Sequence, residues 1–490
     1  VEVLSGSTGK NVHSLIRGNH FKELGNNTCA ALNMTLASDS IIADNIFESM
    51  MGTAIRVKDS SNVRITGNTI LSTSAKRKDA DVIQGIDIEA ATASRSNIEI
   101  TDNIIVATTD KEFDTGIKIE GDIDDQVTFI QDVVVSNNVI DGSKVSMKVS
   151  NVSGNVSLEG NTCKNSGNIT PSFAAMHIGN LNGDAQVKVI GNVFTGGAKS
   201  GRAIYMDRNS ATTDSPGTVD FVLKDNFVNS MGQAAFAPVW SQAIVTDMAL
   251  IYINGHNDDD VLHTFHASGN KYELTDTNAN TYGLMVANVK GKCTFDSIRE
   301  FGAVGDDTAN DTVAINRAAL AAGEGGVIYV PPGTFKVDDS GTRLTSSTAL
   351  SSGTSGHAIE ILFADQLWHG EGTIHKATTD KLGINCGAYR TYVKGISFQS
   401  SAASTAGSAI ITSAGGEDEV TGCHFQLFGG PTVDIKGPRV LVKDCVFEGT
   451  VADAIVGVAA STDAMIYNNR IWALSVAGVD NGVKGVFVRG

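Results

Sequence analysis

Seven short alternating segments hold most of the side chains that can do chemistry: AIRVKD, GIDIEA, GIKIEG, SMKVSN, AMHIGN, AIYMDR and LIYING. At one position they carry Arg56, Asp87, Lys118, Lys148, His177, Tyr205 and Tyr252. Two residues further on they carry Lys58, Glu89, Glu120, Ser150, Gly179, Asp207 and Asn254. If the segments stack as neighbouring strands, each column repeats every ~4.8 Å and the two columns lie about 6.6 Å apart. Acids, bases and aromatic rings then share one face, a mixture that suits an extended anionic or neutral glycan. Glu89 and Glu120 stack directly, and two like charges that close raise one pKa, leaving an acid beside a base. Carboxyls about 5–5.5 Å apart suit a retaining glycosidase, and carboxyls about 6.5–9.5 Å apart an inverting one. The stacked glutamates fall near the first value, the diagonal from Asp87 to Glu120 near the second. One carboxyl would protonate the leaving oxygen while the other attacks or activates water. Arg56, Lys58, Lys118, Tyr252 and Asn254 would bind substrate. The lysines can equally do no more than pair with these acids on a solvated sheet.

A lyase would use the face differently. A base removes the proton α to a uronate carboxylate, and a cation or neutral acid stabilises the enolate. Lys148, His177 and Tyr205 fall in consecutive segments, with Asp207 beside them. No metal site and no cofactor is expected. Acid runs at Asp122, Asp124 and Asp125, and at Asp258 to Asp260 after His256, can hold calcium, but they lack a fixed ligand spacing and read better as solvated loops. His263 and His266 precede a strand turn, a poor setting for zinc. Trp240, Trp368 and Trp472 can stack on sugars if exposed, or pack in the core.

The elements that must position these residues are repeats. IRGNHF, IADNIF, ITGNTI, ITDNII, VSNNVI, LEGNTC, VIGNVF, LKDNFV and ASGNKY place Asn19, Asn45, Asn68, Asn103, Asn138, Asn161, Asn192, Asn226 and Asn270 at one turn. VKGISF, VTGCHF, VKDCVF and YNNRIW put Ile396, Cys423, Cys445 and Asn469 there. Within each run the spacing is 22 to 44 residues. Such a repeat predicts an all-β solenoid of about 13 rungs, a right-handed, single-stranded parallel β-helix. Asn tolerates the left-handed geometry of a tight turn, and stacked amides can bond along the column. Alternation sends Ile55, Val57, Ile86, Ile88, Ile117 and Ile119 inward. Cys423 and Cys445 read as small inward hydrophobes.

Composition agrees. Only 6% of residues are aromatic, while 52 are Gly and 7 Pro, a chain of small and β-branched residues. With 54 acids against 37 bases, the net charge of −17 argues against nucleic-acid binding. No stretch has the roughly 20 apolar residues of a membrane span, and VEVLSGSTGKNVHS lacks the order of a secretion signal. Six scattered Cys do not make a disulfide scaffold.

FGAVGDDTANDTVAINRAALAAGEGGVIYVPPGTFKV, residues 301–337, reads as turn, short helix near 311–322, Gly-rich turn and strand. Asn310 or Asp311 can cap the helix and Gly323 can stop it. Val313, Ala314, Ala318 and Leu320 are the expected apolar face. A helix of this kind covers the open end of a solenoid, yet here it sits in mid-chain. Joining GVFVRG to VEVLSGSTGKNVHSLIRGNHF would complete one rung. The expected order is therefore circularly permuted, 297–490 as cap and first rungs and 1–296 as the continuation; a tandem of two incomplete helices, or a truncated fragment, is the alternative.

At these residues the sequence resembles the pectate-lyase-like right-handed parallel β-helix superfamily, whose opening motif FGAVGDDTANDTVAINRAAL…GGVIYVPPGTF matches. Phage tailspikes, polysaccharide lyases and some epimerases open this way, although near their N-termini. The resemblance implies a bacterial polysaccharide as partner, an extracellular setting on a phage tail or as a secreted protein, and, for tailspikes, a homotrimer. It leaves open a tailspike-type depolymerase, a uronate lyase or epimerase, and a non-catalytic adhesin.

Overall fold

The structure is a computed structural model. It describes all residues except 1, 5–12, 25–29, 51, 73–82, 109–112, 123–127, 166–173, 197–201, 208–217, 230–247, 255–260, 274–280, 288, 338–341, 345–349, 353–356, 362, 377–381, 401–407, 429–430, 451–453, 458–462, 474–485 and 489–490. The chain forms two compact units. One is Val1–Ser241 with Met248–Thr277 and Val286–Lys292; the other is Cys293–Gly490 with Gln242–Asp247 and Asn278–Met285.

In the first unit each rung has three strand positions, as in Ile55–Lys58, Val63–Thr66 and Thr69–Ser72, followed by Gln84–Ala90, Arg95–Thr101 and Ile104–Ala107. Equivalent strands pair in parallel, so Ile86 lies opposite Ile55 and Ile117, and Ile88 opposite Val57 and Ile119. All six are buried. Their β-branched side chains fit a pleated, half-buried surface, and the strict period of two keeps them in one interior column. In two rungs the first and second positions merge into single strands, Ser143–Glu159 and Ala174–Ile190.

The turn after the second strand divides its work between two residues. The left-handed position is the one before the ladder Asn, not the Asn itself as expected. It is held by Gly18, Asp44, Gly67, Asp102, Asn137, Gly160, Gly191, Asp225 and Gly269, with φ from 53° to 69°. These are the residue types that visit this region at least cost. The ladder Asn makes hydrogen bonds instead. The backbone N–H of Asn68 donates to Asn103 Oδ1 at 3.0 Å, and Asn68 Nδ2 donates to the same oxygen at 3.0 Å and to Ile42 O at 2.9 Å. The same backbone-to-amide bond recurs from Asn19 through Asn226.

The second unit repeats this plan, with Gly395, Gly422, Asp444 and Asn468 at positive φ. Cys423 Sγ donates to Val393 O at 3.5 Å and Cys445 Sγ to Val420 O at 3.6 Å, imitating the Asn amide weakly. Both thiols are buried. Phe398, Phe425 and Phe447 stack in the interior at 5.2 and 4.9 Å.

The helix runs Thr312–Ala322. Asn310 Oδ1 accepts from Thr312 N at 3.1 Å, whereas Asp311 turns back to accept from Val304 N and Gly305 N. Val313, Ala314 and Ala318 are buried, as expected; Leu320 is only half-buried. Asn316 bridges the helix to the strand His357–Ile361, donating to Ala358 O at 2.8 Å and accepting from Glu360 N at 3.2 Å. One side chain thus occupies backbone groups of that strand that would otherwise invite edge pairing. Gln366 Nε2 donates to Ala319 O and Gly323 O, closing the helix's C-terminal end.

Candidate active site

The register places the chemistry-bearing residues in two columns on the first-position strands. Arg56, Asp87, Lys118, Lys148, His177, Tyr205 and Tyr252 are successive partners. Lys58, Glu89, Glu120, Ser150, Gly179, Asp207 and Asn254 form the second column. Asn33 and Thr35 extend the columns by one rung. They belong to LNMT, whose apolar alternation matches its neighbours but which carries no ionisable group to draw notice. The side chain of Asp207 lies outside the described residues.

Three carboxylates converge on one ammonium. Lys118 Nζ lies 2.7 Å from Glu120 Oε2, 3.4 Å from Glu89 Oε1 and 3.7 Å from Asp87 Oδ1. Arg56 Nε donates to Asp87 Oδ2 at 3.1 Å. Lys148 Nζ donates to Glu120 Oε1 at 2.5 Å, and Ser150 Oγ to the same oxygen at 3.1 Å. Burial by itself would raise Glu120, but the hydrogen bonds from Lys118 and Lys148 outweigh it and hold its carboxyl below the ordinary range. The raised carboxyl is Asp87, pushed to about 6 by burial, with Glu89 adding to the rise and Lys118 and Arg56 opposing it. Its side chain is 1% exposed, against 12% for Glu120 and 28% for Glu89. Asp87 Oδ1 is buried and has no hydrogen-bond partner among the described residues, with Lys118 Nζ 3.7 Å away.

The face becomes aromatic beyond Lys148. The His177 and Tyr205 rings lie 5.4 Å apart and tilted, while Tyr205 and Tyr252 stack at 5.4 Å. Arg202 lies over both tyrosines, 5.6 and 4.9 Å from their centroids. The sequence reading missed Arg202, because it lies outside the two alternating positions and only the fold brings it over the rings. Burial and the nearby Lys148 charge push the His177 pKa down to about 4, against a smaller opposing pull from Glu120, so the ring is neutral at pH 7. At Gly179 the second column has no side chain, and an added Cβ would lie 3.4 Å from His177 Nε2. The imidazole therefore borders a gap.

Other expected groups fall elsewhere. Asp124, Asp125, His256, Asp258, Asp259, Asp260 and Trp240 lie outside the described residues. His263 and His266 share the strand Val261–Ser268. Trp368 is fully buried and Trp472 is 54% exposed. Among the described residues no cluster of three or more His, Cys, Asp or Glu is placed to hold a metal, and no helix is long and apolar enough to cross a membrane. Asp311 and Asp418 also rise to about 6 through burial. Each accepts from two or more backbone N–H groups, so they hold turns rather than face a ligand.

Residues 295–483 match the family described as rhamnogalacturonase A/epimerase, pectate lyase-like. Residues 4–130 match the family described as right-handed β-helix region. Among solved structures, the chain is similar to the Streptococcus pneumoniae surface protein and adhesin PfbA. The identity is 14% and the TM-score 0.32, over 54% of this chain and 68% of that one. No curated protein sequence matches the chain.

Proposed function

Because this chain is a pectate-lyase-like right-handed parallel β-helix, we propose that it is a carbohydrate-active protein that hydrolyses a bacterial surface polysaccharide on the two-column face. The supporting observation is the division of protons around Lys118. Asp87 has a carboxyl at about 6 and a hydrogen-bond-free oxygen, while Glu120 is held ionised by two ammonium groups. Hydrolysis needs one carboxyl of each kind. Glu120 is the base that activates water or attacks the anomeric carbon. Asp87 is the proton donor, and its leaving-oxygen partner takes the place that Arg56 and Lys118 now cover. Glu89, the most open of the three, stabilises positive charge at the ring. Arg56, Lys58, Lys118, Tyr252 and Asn254 bind the chain on either side.

A lyase acting on uronate glycans is the second reading. It rests on His177, a neutral base beside Lys148 and Tyr205 at the Gly179 gap. The same reading of the protein as a phage tailspike-type or secreted enzyme carries three further proposals: an extracellular site of action, a homotrimer, and the rung order 297–490 followed by 1–296. An adhesin would bind the same glycans and cut none. Incubation with a panel of capsular and uronate polysaccharides, following new reducing ends and the ultraviolet absorbance of unsaturated sugars together, separates these readings. Reducing ends without absorbance support hydrolysis. Both signals together sink it in favour of the lyase. Binding with neither signal removes the enzyme reading.

A further inference from the structure

The third-position strands of the second unit present a different chemistry. Ser397–Ser400, His424–Gln426, Val446–Thr450 and Arg470–Ala473 stack in parallel, which aligns Gln399, Gln426, Glu448 and Trp472 in one outward column. Two side chains of that column, with His424 beside them, are bonded together. Gln426 Nε2 donates to Glu448 Oε2 at 3.2 Å, and His424 Nε2 lies 3.0 Å from the same oxygen. Trp472 is the next-rung partner of Glu448, and its side chain is 54% exposed. Register shifts directly after Glu448, where Gly449 adopts φ 67°. A bulge of this kind re-aims the side chains beside it.

We propose that Gln426, Glu448 and Trp472, with His424 beside them, form a second glycan-binding site that takes a neutral sugar. A large exposed indole offers an apolar platform for the C–H face of a pyranose ring. The strand spacing of about 4.8 Å sets a planar carboxylate beside it and a planar amide one rung further. Glu448 accepts from two neighbouring sugar hydroxyls, while Gln426 can both accept and donate. The hydrogen bonds from Gln426 and His424 hold the Glu448 carboxyl below its ordinary range, so it is charged at pH 7. A fixed anion at the centre of the site repels a uronate and accepts from a neutral sugar. The carboxylate face of the first unit carries Arg56, Lys58, Lys118 and Lys148 and lacks this bias. This site does not depend on the hydrolase reading, because it uses other strands and its readout is binding rather than cleavage.

The test titrates the full chain with neutral cello-, xylo-, manno- and galacto-oligosaccharides and with galacturonate oligomers, by calorimetry and tryptophan fluorescence. Among the described residues Trp368 is buried and Trp472 exposed, so an emission change on binding that W472A removes is assigned to Trp472. At least one neutral oligosaccharide is expected to bind and shift the emission. W472A is expected to abolish that binding, and E448Q to weaken it about tenfold or more. E120Q is expected to leave it unchanged. Glu448 is exposed, so E448Q preserves the fold even if W472A does not. The proposal is overturned if no neutral oligosaccharide binds, if E448Q binds as the native protein does, or if E120Q rather than W472A and E448Q removes binding.

Discussion

The backbone N–H of Asn103 donates to Asn138 Oδ1 at 3.0 Å, and the Asn103 amide donates to the same oxygen at 3.0 Å. Asn138 in turn donates to Ile100 O, Ser136 O and Asn161 Oδ1. One side chain thus joins its own rung to both neighbours, inside a column that is buried from Asn45 to Asn270. Replacement of Asn138 by Ala leaves buried donors and acceptors without partners. The expected cost is about 3 kcal/mol. Asn165, exposed, at φ 51° and bonded at the surface to Asp141 Oδ1, is the control: N165G keeps that backbone geometry and should fall within about 0.5 kcal/mol of the native protein. Equal denaturation midpoints for the two variants would remove the ladder as a source of stability.

Glu120 is held by Lys118, Lys148 and Ser150 in the charged form. E120Q removes a charge that Lys118 and Lys148 stabilise, so it should lower the thermal midpoint while keeping the sheet content, and lower turnover by about two to four orders of magnitude. E89Q should lower it less, since Glu89 contacts Lys118 alone and more loosely. Turnover that survives E120Q moves the base away from this residue.

With Asp87 as the proton donor of the proposed hydrolysis, activity should fail as pH rises. Its carboxyl must be protonated, so activity should decline through about 6, while Glu120 stays ionised down to more acid pH. The lyase reading has the opposite acid limb, because His177 must be neutral, and activity should rise through about 4 and persist at neutral pH. The pH profile of kcat/KM separates them, and D87N should erase the decline near 6 only if hydrolysis is the reaction.

Asp87 also ties stability to pH. Its folded-state pKa, about 6, lies above the ordinary value of 3.8, so the folded form binds more protons in between. Its contribution to stability is fully present below about 4 and is lost as pH rises through about 6. Above that, the raised pKa corresponds to about 3 kcal/mol, part of which D87N should recover despite losing its bond from Arg56. Chemical denaturation of both proteins at pH 4 and pH 7.5 measures this: the difference between them should shift in favour of D87N at the higher pH, and no shift would mean that Asp87 is not buried as a charge.

The permuted rung order gives a separate expectation. A chain rebuilt as 297–490 followed by 1–296 should fold to one cooperative transition with the same sheet content. Two independent transitions, or loss of folding, would reject that order.

Much of this molecule was legible without coordinates. A parallel solenoid has one register once its interior alternates with period two, so aligning AIRVKD, GIDIEA and GIKIEG was enough to place Asp87, Lys118 and Glu120 in known columns. The repeated Asn marked the ladder. It did not reveal that the left-handed residue is the one before it, because Gly, Asp and Asn share that place and mask it as variation. The helix was readable from its stop, its small apolar residues and Asn310, one of its two expected caps, but the bridge from Asn316 to Ala358 was not.

By itself, then, the sequence determined the fold, the columns and the residues of the candidate site, because strand alternation and rung stacking are short-range rules. Only the tertiary structure decided which carboxyl has its pKa raised. That depends on how deeply Asp87 is buried and on where the Lys118 ammonium settles among three acids from two rungs. It also decided that Trp472 is exposed beside Glu448 while Trp368 is buried. Desolvation and side-chain reach depend on everything packed around a group, and no local pattern of residues encodes them.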